Sequence, residues 1–283
     1  MTTQQITPQL RQWIVEQAQA GHQAEAVLQS MLASGWAEDV AVEAMETTLR
    51  GHLAEAGVQV ALPVPIAVPD LKLAESPLYL DAGDRRVHVL NAMENPRIVV
   101  LGNLLSDEEC DALIELAKPR LARSLTVATK TGGEEVNEDR TSNGMFFQRG
   151  EHEVVRRLEA RLARLLDWPE ENGEGLQILH YRPGAEYKPH YDYFDPVEPG
   201  TPTILKRGGQ RVATIVMYLA EPDKGGGTTF PDVNLVVAPK RGNAVFFSYD
   251  RPHPVTRTLH GGAPVLEGEK WIATKWLREG RFE

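Results

Sequence analysis

His190 and Asp192 stand two residues apart in the aromatic-rich run YKPHYDYFDP, residues 187–196. In an extended strand, residues at this spacing point to the same face. An imidazole and a carboxylate would then look into one cavity together. Such a pair would supply two ligands of a metal site with open coordination positions. A second histidine from a distant segment would complete the two-histidine, one-carboxylate set that leaves places on a non-haem Fe(II) for O2 and a cosubstrate. An isolated His-x-Asp also suits a partly exposed strand end, so the specificity of the signal rests on residues further along.

Two later histidines compete for the third place. His253 lies between prolines in RPHPV, where the backbone turns or enters a sheet edge. His260 follows the alternating stretch VTRTL and precedes Gly261 and Gly262. Lys270 opens the strand-like run KWIATKW. A strand–turn–strand hairpin would bring His260 and Lys270 into one pocket. A buried ammonium requires an anionic partner. A small dicarboxylate would satisfy both groups, chelating a metal at one end and pairing with the lysine at the other.

The elements that must hold these residues read as strands. LQILHYRPG, QRVATIVMYLA, LVVAPKRGNAVFFSY, HPVTRTLHGG and KWIATKWLRE are short, β-branched or aromatic, and separated by Gly, Pro and Asp. Ahead of them, IVVLGNL (98–104) reads as a buried strand. SDEECDALIELAK reads as a helix whose Ser106 and Glu109 have capping-box spacing. Cys110 belongs to that helix's apolar side and is expected to be a packing residue. Residues 151–166 form a second helix with Val154, Val155, Leu158, Leu162 and Leu165 inward. Helices followed by a run of strands predict an α+β domain built on a barrel or jelly roll. The polar stretch ATKTGGEEVNEDRTSNG, residues 128–144, is expected to be a long loop and a lid over the substrate. Its Glu134, Glu135, Glu138 and Asp139 would disfavour acidic peptides.

Residues 8–55 predict three helices, broken at Gly21 and near Gly35, with Pro8 in the first turn behind Thr7. Their apolar stripes are Leu10, Trp13, Ile14 and Ala18, then Val27, Leu28, Met31 and Leu32, then Val42, Met45, Leu49 and Leu53. ALPVPIAVPD, residues 61–70, favours extended, polyproline-like backbone and suits a semi-rigid linker. The expected organisation is a helical domain over 1–60, a Pro-rich linker over 61–75, and a catalytic domain over 76–283.

Composition narrows the function class. The 283 residues carry a formal net charge of −10, which argues against a binder of the nucleic-acid backbone. The single cysteine excludes an intramolecular disulfide and Cys-rich zinc sites. The N-terminus lacks a basic start followed by an apolar run, and no stretch approaches the roughly 18 apolar residues of a membrane span. The expectation is a soluble, cytoplasmic protein with neither nucleic-acid nor membrane partners.

With these residues in place, the chain resembles the 2-oxoglutarate- and Fe(II)-dependent prolyl 4-hydroxylases of the collagen, plant and bacterial branch. The resemblance is carried by LQILHYRPGAEYKPHYDYFDP, GGQRVATIVMYLAEPDKGGGTTFP, KRGNAVFFSY and TLHGGAPVLEGEKWIATKW, with LSDEECDALIELAK and RTSNG before them. It spans roughly residues 96–279. It implies a double-stranded β-helix (jelly-roll) catalytic core with flanking helices, beside a small N-terminal all-α domain. It implies His190, Asp192 and His260 as the catalytic iron ligands. Lys270 would pair with the far carboxylate of 2-oxoglutarate, and Tyr181 would donate its hydroxyl to the same group. Thr228 in GGGT would line the cosubstrate pocket, with Trp276 near it. Tyr187 and Arg211 would contact a proline-containing peptide or protein substrate. Position 278 is Arg where a plant-type relative carries a histidine near the peptide, which bears on the substrate sequence. The implied reaction consumes 2-oxoglutarate and O2, releases succinate and CO2, and converts peptidyl proline to 4-hydroxyproline, with ascorbate supporting activity. Two other readings stand beside it: the same chemistry on a free amino acid or another side chain, and a protein-binding module led by the helical domain with the barrel as scaffold.

Overall fold

The structure, a computed structural model, describes residues 6–55, 62–123, 125–127, 134–136 and 140–283. Tertiary contacts divide the chain into two units, Met1–Leu62 and Pro63–Glu283.

The first unit holds helices α1 (Pro8–Gln19), α2 (Ala24–Ala33) and α3 (Glu38–Glu55). Thr7 caps α1, its hydroxyl oxygen accepting the Leu10 N–H at 3.3 Å. Gly21 and Gly35 take positive φ beyond the ends of α1 and α2, where a side chain would be strained. Ile14, Val27, Met31, Ala41, Ala44 and Met45 form a shared core. The expected inward stripe of α3 is rotated: Val42 is 38% exposed, and the small Ala41 and Ala44 take the inner face. The side chain of Leu53 lies outside the described residues.

The second unit begins with the proline-rich run. From Ile66 onward this stretch is strapped to the rest of the second unit. The Ile66 N–H donates to the Asp250 carbonyl at 2.7 Å, and the Asp70 N–H donates to that of Leu166 at 2.9 Å. Asp70 pairs with Arg97, and Leu71 is 1% exposed in the main core. Polyproline-like backbone has no internal hydrogen bonds, so its amides are free to dock elsewhere.

Seventeen strands follow among the described residues, with two longer helices between them. The first ten strands are β1 (Tyr79–Asp81), β2 (Arg86–Met93), β3 (Arg97–Gly102), β4 (Ala122–Arg123), β5 (Leu125–Val127), β6 (Glu134–Val136), β7 (Asn143–Phe147), β8 (Leu176–Tyr181), β9 (Tyr187–His190) and β10 (Arg211–Ala220). The rest are β11 (Lys224–Gly225), β12 (Thr228–Phe230), β13 (Leu235–Val237), β14 (Ala244–Ser248), β15 (His260–Gly262), β16 (Val265–Glu267) and β17 (Lys270–Arg278). The helices are α4 (Asp107–Ala117) and α5 (Glu153–Leu166).

Nine strands form one antiparallel sheet in the order β1-β2-β3-β14-β10-β17-β8-β7-β4. A smaller antiparallel sheet has the order β13-β12-β15-β9. Strand alternation sorts the large sheet's two faces. From β10, Ala213, Ile215, Met217 and Leu219 join the core that α4 and α5 cover, while Val216 and Tyr218 join a second core with Phe230 and Val237 of the small sheet. Because both faces are buried, RVATIVMYLA reads as a nearly continuous apolar run.

Helix α4 starts with the expected capping box, Ser106 and Glu109 each taking the other's backbone N–H. Cys110 is fully buried there, and burial pushes its thiol up to about 11. Two expectations change. HPVTRTLHGG is a turn over Pro254–Thr256 and a strand only at His260–Gly262. Nor does a hairpin join His260 to Lys270: β15 pairs with β9 and β12, β17 pairs with β8 and β10, and β16 between them pairs with β11. Of the expected lid, residues 128–133 and 137–139 lie outside the described residues. The backbone of β6 pairs with that of β5, and Asn143 and Gly144 already belong to β7.

Candidate active site

The two sheets enclose a cleft of about 430 Å³ of empty space, part of it open to solvent. Alternation decides which side chains enter it. From the large sheet come Tyr181 of β8, Thr214 of β10, and Lys270, Ile272, Thr274 and Trp276 of β17. From the opposite side come Tyr187 and His190 of β9, Thr228 of β12 and His260 of β15.

β9 and β15 pair so that His190 and His260 are direct cross-strand partners. Their rings lie 4.4 Å apart, centroid to centroid. The close approach depends on Gly261, where a Cβ would lie 2.9 Å from the Tyr187 carbonyl oxygen and 3.1 Å from the Pro189 nitrogen. Asp192 follows just beyond the end of β9. One ligand atom from each of His190, Asp192 and His260 falls within 4.8 Å of the others, and this is the sole such trio among the described residues. His253 is elsewhere, its Nδ1 accepting the Val255 N–H.

The tautomers follow from the hydrogen bonds. His190 Nδ1 lies 2.9 Å from the Lys188 carbonyl, and His260 Nδ1 lies 3.0 Å from that of Thr258. A carbonyl only accepts, so each Nδ1 carries the proton. In the neutral rings both Nε2 lone pairs then face the Asp192 carboxylate, at 3.6 Å from His190 and 3.4 Å from His260. Three lone-pair donors converge with no proton between them, an arrangement that fits a divalent cation and is repulsive without one. When no metal is bound, a proton taken up by the imidazoles relieves that repulsion: burial works against the Asp192 charge, but positive His260 and the hydrogen bonds from both histidines outweigh it and hold its carboxyl well below the usual range. Burial, then the neighbouring His260, lowers the pKa of His190 and favours its neutral, ligating form.

Lys270 is the cationic feature of the cleft's far end. It is 2% exposed, and its ammonium donates to the Gly226 carbonyl at 2.7 Å. It lies 4.7 Å from the centre of the Tyr181 ring, and Tyr181 is its cross-strand neighbour. Lys270 has no ion pair among the described residues, and burial pushes its ammonium down to about 8. A buried ammonium with donors to spare is a receptor for an anion. Thr228 is held beside it by a 2.8 Å hydrogen bond with the Tyr218 hydroxyl.

Residues 176–278 match the model of the 2OG-Fe(II) oxygenase superfamily. The chain is 43% identical to prolyl 4-hydroxylase 5 of Arabidopsis thaliana over 223 residues, covering 71% of this chain and 74% of that protein. The chain belongs to the prolyl 4-hydroxylase family. A second Arabidopsis thaliana relative, probable prolyl 4-hydroxylase 3, is 40% identical over 71% of this chain and 75% of its own. Among solved structures, the viral collagen prolyl hydroxylase of Paramecium Bursaria Chlorella virus-1, in its 2OG complex, matches with a TM-score of 0.51 and 31% identity, covering 64% of this chain and 95% of that one. As a family member the chain is an Fe(II)- and 2-oxoglutarate-dependent dioxygenase.

In this prolyl 4-hydroxylase family member the remaining predicted residues divide. Tyr187 stacks on His190 with centroids 3.7 Å apart and lines the cleft. Trp276 lines it too, with no acceptor for its indole N–H among the described residues. Arg211, expected to contact the peptide substrate, is 8% exposed and stands beside the cleft lining rather than in it. Its guanidinium is held by both oxygens of the buried Glu174, at 2.7 and 2.9 Å, and stacks 4.1 Å from the Trp276 ring. Glu174 also accepts from Arg278 at 2.7 Å. His180, on the opposite strand face from Tyr181, is structural, stacking on Trp271 and pairing with Glu269.

Two wall residues escaped the sequence reading. Thr214 shares a face of β10 with Val216, and alternation along RVATIVMYLA would have pointed to it. Arg140 of RTSNG sits 5.0 Å from the Tyr187 ring centre, donates to Gln177 at 2.7 Å, and has an Nε without an acceptor among the described residues.

Proposed function

We propose that this chain hydroxylates C4 of proline in a peptide or protein, and that His190, Asp192 and His260 hold its ferrous ion. The observation that carries this reading is the convergence of two Nδ1-protonated imidazoles on one carboxylate, with the unpaired Lys270 ammonium in the same cleft. The prolyl 4-hydroxylase relatives support the substrate class. When bound, iron couples oxidative decarboxylation of 2-oxoglutarate by O2, giving succinate and CO2, to insertion of one oxygen atom into a substrate C–H bond.

The chain's own residues bind, orient and exclude water. Lys270 and the Tyr181 hydroxyl would take the far carboxylate of 2-oxoglutarate, and Thr228 and Ile272 would flank its methylenes. Trp276 and Arg140 offer N–H donors that have no acceptor among the described residues, suited to the carbonyls of a peptide. Tyr187, packed on His190, would meet the proline. Arg211 acts through others in this reading: with Glu174 it braces Trp276, and its Nη1 lies 3.4 Å from the Asp192 carbonyl. The paired sheets support a jelly-roll reading of the core, and the helical core of residues 6–55 supports an independent all-α domain. The acidic net charge and single cysteine support a cytoplasmic protein without nucleic-acid or membrane partners.

The test is incubation with Fe(II), 2-oxoglutarate, ascorbate and a panel of proline-containing peptides, reading succinate release and peptide mass together. The expected outcome is one added oxygen on proline with matching succinate. Oxygen added only to a free amino acid, or to a residue other than proline, would replace this reading with another dioxygenase activity.

A further inference from the structure

The Asp192 carboxylate has a partner that none of the metal-site roles explains. Thr214 Oγ1 donates to Asp192 Oδ2 at 2.7 Å, and the same Oγ1 lies 3.0 Å from the Tyr249 hydroxyl oxygen. The direction of both bonds follows from the chemistry. An ionised carboxylate only accepts, so the threonine proton points to Asp192. The tyrosine must then donate its own proton to Thr214 Oγ1. Thr214 is 0% exposed and Tyr249 is 1% exposed, so no solvent competes for these groups. The Arg211 guanidinium lies near the Asp192 carbonyl, on the backbone of the same residue. Thus one oxygen of the carboxylate is tied to the large sheet through β10, while the histidines reach it from the small sheet.

Resting on the reading that Asp192 is a metal ligand, we propose that the Tyr249–Thr214 hydroxyl chain is a positioning device that fixes the plane in which the Asp192 carboxylate is presented to the metal. A free carboxylate turns about its Cβ–Cγ bond and can chelate a cation with both oxygens. Doing so here would take up a coordination position that the cosubstrate and O2 need. The threonine proton takes one lone pair of Oδ2 and fixes the carboxylate plane, in which Oδ1 lies 3.6 Å from His190 Nε2 and Oδ2 lies 3.4 Å from His260 Nε2. The tyrosine in turn fixes the threonine rotamer by occupying its lone pair. Thr214 and Tyr249 touch neither substrate nor metal in this scheme. They act through Asp192.

The experiment measures Co(II) binding to the full chain by its visible absorption, with and without 2-oxoglutarate, alongside the KM values for 2-oxoglutarate and peptide. The variants are Thr214→Val, Thr214→Ser and Tyr249→Phe. Thr214→Val should weaken Co(II) binding about 10- to 100-fold, as loss of outer-sphere partners does elsewhere. It should also shrink the spectral change on adding 2-oxoglutarate and raise the KM for 2-oxoglutarate but not for peptide. Thr214→Ser keeps the donor and should behave as wild type. Tyr249→Phe should shift affinity in the same direction by less, and it decides the matter if the valine variant does not fold. Unchanged Co(II) affinity and an unchanged 2-oxoglutarate response in Tyr249→Phe and a folded Thr214→Val would overturn the proposal while leaving the metal site intact. Wild-type chain that binds no Co(II), or an Asp192→Ala variant that binds it equally well, would overturn both this proposal and the metal reading beneath it.

Discussion

Lys270 is a charge placed where water cannot reach it, and its cost is recovered only when an anion arrives. Replacing it with alanine should remove a charge-assisted contact of about 1.5–3 kcal/mol, or roughly 10- to 150-fold in 2-oxoglutarate affinity. Isothermal titration with 2-oxoglutarate checks this, and peptide affinity should move far less. The same burial sets a pH dependence. With the ammonium pushed down to about 8, cosubstrate affinity should hold below that pH and decline above it as the lysine loses its proton. The sign for stability is opposite. Between about 8 and the ordinary lysine value of 10.5 the unfolded chain keeps a proton that the folded chain has released, so this group makes stability rise with pH across that window. Titrations and urea melts at pH 7 and 9 separate the two trends. At this scale much of the site was legible in the sequence. The two-residue spacing singled out His190 and Asp192, although Asp192 lies just past the end of β9, while His260 was separable from His253 only through the resemblance. The pairing of Arg211 with Glu174 was not legible, because that carboxylate lies 37 residues away in a segment with no pattern to announce it.

At the scale of elements, strands are held where they are by what covers their far face. Lys275, on the helix-facing side of β17, forms a buried ion pair with Glu159 of α5, and Glu159 also accepts the Gly150 N–H at 2.8 Å. Glu159→Ala would leave an uncompensated ammonium under the sheet and should cost about 3–5 kcal/mol in a urea melt. Glu159→Leu combined with Lys275→Met should recover most of that loss, since well-packed apolar residues commonly replace such pairs at little cost. Helix α4 and strands β8, β10 and β17 were readable because capping chemistry and uninterrupted apolar runs point to one answer. β2 was not, because RVHVLNAM is an edge-side strand with only Val87 fully buried, so its alternation is weak. β7 was hidden by Asn143-Gly144, a pair that ordinarily signals a turn. The expected His260–Lys270 hairpin failed because a third strand, β16, intervenes and pairs elsewhere. Cleft proximity came instead from two sheets facing each other.

For the whole molecule, the contact boundary at Leu62 and Pro63 places the proline-rich strap with the catalytic unit. A chain shortened to begin at Pro63 should keep its melting temperature and its turnover of short peptides. One beginning at Lys72 loses Leu71, the Asp70–Arg97 pair and the Ile66 amide contact. Leu71→Ala in the full chain isolates the first of these and should cost about 2–5 kcal/mol in a thermal or urea melt. The cations around the cleft carry a last consequence. Lys270 and Arg140 line the cleft against the carboxylate of Asp192, so its lining is positive in a molecule whose overall charge is −10. A doubly charged keto acid should therefore be drawn toward this mouth, its capture hurried by long-range attraction. Stopped-flow association rates should fall as potassium chloride is raised, most steeply while the Debye length shortens from about 30 Å toward 10 Å.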